Sequence, residues 1–168
     1  MKITIIGPGA IGTLLAASMA KSGNDISVLV KAEQKKQFEN GTIVLDNFNG
    51  KKIESRIKIT TELEHPDWII LAVKSYDVVN LLDLLKKSKS PVLCCQNGIR
   101  TYNQIKEEIG KERMAYMVTG MGSSKIEPGR AVFKGSGFTY IGAISGQKNP
   151  EIMELSNVIN KSGIRCEV

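Results

Sequence analysis

The chain has 168 residues, the size of one compact domain, and its 42% hydrophobic and 24% charged residues are those of a globular protein rather than a disordered or fibrous one. No apolar run nears the roughly 18 residues that a bilayer span requires, and residues 3–6 are too short for a secretory leader, so membrane and secreted classes are set aside and a cytoplasmic protein is expected. The net charge of +6 is spread along the chain, and its tightest groups, at 35–37 and 86–89, lack aromatic companions; this argues against nucleic acid and suits an anionic small ligand.

From the N-terminus, residues 2–7 (KITIIG) read as a strand and 10–23 as a helix closed by Gly23. Residues 25–30 (DISVLV) form a second strand, followed by a polar helix over 32–40 that Gly41 ends. Alternating strands follow over 42–59 around the Asn49-Gly50 pair, a strong hairpin signal. Residues 67–73 (DWIILAV) form a continuous apolar run, as a strand buried on both faces requires. A helix over 77–87, a strand at 91–96, the Asn97-Gly98 turn and a helix over 101–109 come next. A sixth main strand begins at 113 and runs into the glycine-rich bend 120–124. Two short strands flank Gly-Ser-Gly at 135–137, and a final helix spans 149–163, capped by Asn149 with Pro150 in its first turn. Alternating strands and helices of this length predict one α/β domain over 1–168, a Rossmann-type doubly wound, mostly parallel sheet with an added β-hairpin region.

Cys94, Cys95 and Cys166 give neither a disulfide framework nor a metal spacing, so no metal site is expected, and they read as core filling. His65, the sole histidine, precedes Pro66 and reads as a surface turn residue.

Gly7, Gly9 and Gly12 follow a strand and open a helix, the context that gives a G-x-G-x-x-G its meaning. Gly7 permits the turn, Gly9 lets backbone approach a pyrophosphate, and Gly12 lets the helix pack on the sheet. Pro8, Ala10 and Ile11 fill the motif, and the N–H groups that open the helix face the anion. A glycine turn that binds nothing is the plainer alternative.

An NAD site places an acid after the second strand to meet the ribose 2′-hydroxyl. Lys31 stands there instead and would attract the 2′-phosphate of NADPH, although it also suits a solvated helix start. Lys74 and Asn97 follow two buried strands, at the carboxyl ends where α/β sheets bind ligands. Lys74 could meet a cofactor phosphate or a substrate carboxylate, and the Asn97 amide could engage a carbonyl or a nicotinamide. A solvated lysine and a turn asparagine are the alternatives.

With "GPGAIG", "VKSYD", "QNG" and "PGRAVFKGSGFTYIG" in that order, the chain resembles the N-terminal half of the ketopantoate reductase (2-dehydropantoate 2-reductase) family over essentially its whole length. The resemblance implies NADPH-dependent reduction of the small 2-keto acid ketopantoate to pantoate, a step toward coenzyme A. It implies cofactor contacts at Gly7–Gly12, Lys31, Lys74 and Asn97, the last two also placing the reacting carbonyl. The family generally has arginine where Lys31 stands. Its members continue into a helical second domain that carries a general-acid lysine and substrate-holding groups. That domain is expected to be absent here, and Lys161 lies too early in the chain to replace the lysine.

The chain alone is therefore expected to bind NADPH and to turn over substrate poorly. An exposed apolar docking face is expected at the last helix and the bend 120–124, for a helical domain or for self-association. A dinucleotide-sensing regulatory module and a reductase of another 2-keto acid are the alternatives.

Overall fold

The structure, a computed structural model, describes every residue except 39, 48, 99, 147 and 148, and Arg100 by its backbone alone. Its first unit is β1 (Lys2–Ile6), α1 (Ala10–Lys21) and β2 (Asp25–Leu29). The segment after β2, predicted as a helix over 32–40, is a 3₁₀ helix at Ala32–Phe38, with residue 39 outside the described residues. Then come β3 (Thr42–Asn47), β4 (Lys52–Arg56), β5 (Lys58–Thr60) and β6 (Trp68–Leu71). The predicted helix 77–87 is a 3₁₀ segment, Ser75–Leu81, leading into a short α2 (Leu82–Lys87). The rest is β7 (Val92–Cys94), α3 (Arg100–Ile109), β8 (Met114–Thr119), β9 (Gly122–Glu127), β10 (Arg130–Gly135), β11 (Thr139–Ala143), α4 (Pro150–Lys161) and β12 (Cys166–Glu167).

Eight strands form the main sheet in the order β12-β11-β8-β7-β6-β1-β2-β5. The six from β8 to β5 are parallel, and β11 closes antiparallel on β8. Numbered along the chain, those six read 3-2-1-4-5-6, the doubly wound dinucleotide order. Alternation along each strand divides the core. Ile3 and Ile5 of β1, Ile70 of β6 and Leu93 of β7 pack with α1 and α4, while Ile6, Ile69, Leu71 and Val92 pack with α2 and α3. Both faces are covered, so the four residues of β6 (WIIL) are all buried.

The predicted hairpin at 42–59 splits, with residue 48 outside the described residues. β3 and β4 pair antiparallel, but the chain leaves that pair at Ile57, and β5 joins the main sheet beside β2. The β3–β4 and β9–β10 hairpins then meet through a parallel β3–β10 contact, making a second sheet in the order β4-β3-β10-β9. Residues 135–137 consequently carry the chain between sheets rather than turning a hairpin. They cross beside the outward passage from β8 to β9, so closely that a Cβ on Gly137 would lie 2.5 Å from the Gly120 carbonyl.

The second sheet covers the outer face of α1. This explains a helix that is apolar nearly all round and buried continuously from Gly12 to Met19. Ser55 Oγ donates to Ala17 O at 3.0 Å, and Ser123 Oγ donates to Ala10 O at 3.1 Å, pinning the sheet along the helix. At the other end of the chain, Asn149 Oδ1 accepts from Ile152 N at 2.8 Å and Pro150 holds the first position of α4, as predicted.

Candidate functional site

The turn from β1 into α1 lies where strand order reverses, since β1 has β2 on one side and β6 on the other. Ligands of open α/β sheets bind in the crevice outside the strand ends at such a point. Each glycine there meets a different local demand. Gly7 has φ +96, and a Cβ on it would come within 2.6 Å of Val73 Cγ1. A Cβ on Gly12 would stand 2.1 Å from the Gly7 carbonyl oxygen and 3.3 Å from Ala72 Cβ. Gly9 differs: the nearest atom to its would-be Cβ is Ala72 O at 3.9 Å, so the space above it is open. Gly9 is the N-cap of α1, with its carbonyl accepting from Thr13 N at 2.9 Å. Pro8, Ala10 and Ile11 are half-buried around it. The amides of the first turn have no acceptor within the helix and face the crevice end of α1. This open cradle beside free donors fits a pyrophosphate.

The other candidates lie along the same edge. Lys31 follows β2 and is exposed; its carbonyl accepts from Gln34 N at 2.9 Å, which starts the 3₁₀ helix, and its side chain has no ion pair among the described residues. Lys74 follows β6, is exposed, and accepts Asp77 N at its carbonyl at 3.0 Å. Asn97 follows β7, is exposed, and precedes Gly98 at φ +82. The sheet thus sets out in spatial order Lys31, the glycine turn, Lys74 and Asn97, on four adjacent strands. Three interstrand steps of about 4.8 Å separate the first from the last, about 14 Å in all. That span and order can lay out an extended dinucleotide with its 2′-phosphate at Lys31, its pyrophosphate at the turn and its nicotinamide toward Asn97.

Sequence reasoning passed over Gln96, which stands beside Asn97. It is only 6% exposed, and its Nε2 donates to Leu71 O at 2.8 Å and Val73 O at 3.1 Å. Its signal was a polar residue closing the apolar run PVLCC, at the end of the predicted strand 91–96.

Cys94 and Cys95 lie at the end of β7, just before Gln96, and His65 lies in another loop. Cys94 is buried, and burial pushes its thiol up to about 12; burial raises Cys95 as well, with the neighbouring Cys94 adding to it. Neither is a ready thiolate. His65 is exposed with φ +48 in the loop before β6. Cavities of about 370 and 570 Å³ lie by the Ala32–Phe38 segment, and neither is lined by the glycine turn, Lys74 or Asn97. Among the described residues no three potential metal ligands come together, and no helix is long and apolar enough to cross a membrane.

Residues 3–146 match the family described as ketopantoate reductase PanE/ApbA. The 2-dehydropantoate 2-reductase of Pyrococcus horikoshii is 30% identical over 170 residues, a match that takes in 100% of this chain and 56% of the relative. The crystal structure of 2-dehydropantoate 2-reductase from Geobacter metallireducens GS-15 superposes with a TM-score of 0.88 at 22% identity, covering 99% of this chain and 57% of that one. D-Mandelate dehydrogenase, in a ternary structure with NADH and anilino(oxo)acetate, superposes with a TM-score of 0.85 at 25% identity, covering 99% and 56%. The chain therefore spans a little over half the length of these relatives.

Proposed function

Since the chain belongs to the ketopantoate reductase PanE/ApbA family, we propose that it seats NADPH along the carboxyl edge of its parallel sheet for the reduction of 2-dehydropantoate. The observation that carries this reading is the alignment of Lys31, the glycine turn, Lys74 and Asn97 on four neighbouring strand ends.

In this reading the α1 amides hold the pyrophosphate, and Gly9 leaves room for it. Lys31 binds the 2′-phosphate as an exposed point charge, without the two-pronged fork of an arginine. The bound cofactor supplies a hydride to a ketone carbon. Asn97 presents an amide that donates to the ketone oxygen or to the nicotinamide carboxamide, fixing one against the other. Lys74 places a positive charge over the same crevice, where a 2-keto acid carboxylate gains from it. The proton for the ketone oxygen is assigned to a helical companion domain, as the resemblance implies. General-acid help is worth about 10²–10⁴-fold, so the 168 residues assayed by themselves should bind cofactor well and reduce substrate slowly.

The exposed apolar face lies on β8 and β11 and not at the bend 120–124, where Met121 is buried, and it supports the companion. Val118 of β8 and Tyr140 of β11 are cross-strand partners, 67% and 47% exposed, and Phe138 stacks on Tyr140 at 6.3 Å. We assign this face to the helical domain.

Titration with NADPH, NADP and NADH tests the reading: tighter binding of NADPH than NADH is expected, and NADH preference or no binding overturns it. A reductase of another 2-keto acid is favoured by one observation, the close likeness to D-mandelate dehydrogenase. Assays of 2-dehydropantoate against other 2-keto acids, with a helical companion supplied, separate the two.

A further inference from the structure

We propose that Gln96 is a positioning residue that ties the glycine turn, Lys74 and Asn97 into one unit, an inference that rests on the cofactor site argued above. Its donor nitrogen faces two carbonyls at once, Leu71 O at 2.8 Å and Val73 O at 3.1 Å. An oxygen in that place would meet two acceptors, so the amide has one workable orientation.

The segment 71–73 is stitched on both sides. Ala72 N donates across to Ile6 O of β1 at 2.9 Å, and the carbonyls on either side of it turn the other way, to Gln96 past β7. Val73 is the residue against which Gly7 packs with no room for a Cβ. It also immediately precedes Lys74, just as Gln96 immediately precedes Asn97. One buried amide therefore fixes the residue that shapes the turn, the backbone that presents Lys74 and the start of the loop that presents Asn97.

The same arrangement contributes little to overall stability. Gln96 Oε1 is buried without a hydrogen-bond partner among the described residues. Leu71 O keeps a second donor, Cys95 N at 3.1 Å, when the side chain is removed. An unmet acceptor offsets donor bonds of ordinary strength. What the amide does is locate residues 71–73, and this separates a positioning role from a merely structural one.

The test uses the 168-residue chain and its Gln96→Leu and Gln96→Met variants, with NADPH and adenosine 2′-monophosphate as probes, the latter engaging only the Lys31 end. Both variants should melt within a few degrees of the parent yet bind NADPH about tenfold more weakly, the size expected for losing one well-placed hydrogen-bonding group. Affinity for adenosine 2′-monophosphate should not change. Without ligand, amide hydrogen exchange should quicken about tenfold at Gly7, Gly9 and residues 72–75 and stay unchanged in α4.

Unchanged NADPH affinity in either folded variant overturns the proposal. So does a parallel loss of both ligands with a large fall in melting temperature. If the parent chain binds no dinucleotide, the cofactor reading fails, and the exchange measurement alone decides whether Gln96 holds the turn.

Discussion

Gly12 and Gly7 meet backbone to backbone: a Cβ on Gly12 would stand 2.1 Å from the Gly7 carbonyl oxygen, inside any tolerable contact. Gly7 itself sits at φ +96 against Val73, while Gly9 has φ −77 and open space above it. Alanine at the three positions should therefore give different phenotypes. Gly7→Ala and Gly12→Ala should each destabilise the fold by about 1–3 kcal/mol through strain and overpacking. Gly9→Ala should cost less than about 1 kcal/mol yet weaken NADPH binding at least about tenfold, because the added methyl occupies the pyrophosphate cradle. Urea unfolding and fluorescence titration check the split, and a Gly9→Ala chain that binds like the parent removes the cradle reading.

Lys31 should govern the choice between cofactors. With the side chain exposed, Lys31→Ala should weaken NADPH by about tenfold and leave NADH unchanged. Lys31→Asp should reverse the preference by offering a carboxylate to the ribose hydroxyls. The parent's advantage for NADPH should shrink as salt rises, since an exposed contact is screened. Titrations at two ionic strengths measure all three effects.

The buried Cys94 thiol has a pH signature. Its folded pKa of about 12 lies above the ordinary 9.0, so the native state holds its proton where the unfolded chain has lost it. Stability from this group is intact below pH 9 and falls as pH rises toward 12, by about 1.4 kcal/mol per unit. Urea unfolding at pH 8 and pH 10 should show a steeper loss for the parent than for Cys94→Val, which has no thiol to ionise. At pH 8 the native Cys94 should resist iodoacetamide and react once unfolded.

The face formed by Val118, Phe138 and Tyr140 should govern association. Arg165 lies 4.5 Å over the Phe138 ring at its margin, giving an apolar patch with a cationic border. Val118→Lys with Tyr140→Glu, which sets opposite charges on the two cross-strand partners, should abolish self-association at high concentration and binding of a helical companion, with stability changed by no more than about 1 kcal/mol per exposed site. Sedimentation velocity decides; a parent chain that stays monomeric and ignores the companion contradicts the assignment.

Local patterning disclosed most of the main sheet and the turn it carries. The β1 run, the glycines and the strand ends at Lys31, Lys74 and Asn97 depend on short-range signals, and the Asn149 cap with Pro150 is equally local. Pairing between distant segments is different. Alternation in 42–59 marks which residues are buried but not that Ile57 divides them between two sheets. Nor does it show that β3 finds β10, far along the chain. The apolar circumference of α1 held the clue to a second covering layer, since one sheet can bury only one face of a helix. The 3₁₀ segments were missed because apolar spacing does not distinguish a tight turn from an α-turn over so few residues. Gln96 was missed because a side chain's burial at a strand end depends on its neighbours' backbones.

The second sheet is assembled from one hairpin that precedes β6 and another that follows β8. During synthesis the first hairpin emerges with α1, but its partner appears only after most of the main sheet has been made. Until then one side of α1, the helix that opens at the dinucleotide turn, has only half its cover. Closure of β3 on β10 is thus a late, long-range event of the kind that slows folding. The nascent chain therefore passes through a stage in which the apolar flank of α1 that β9 and β10 later cover is still open to water.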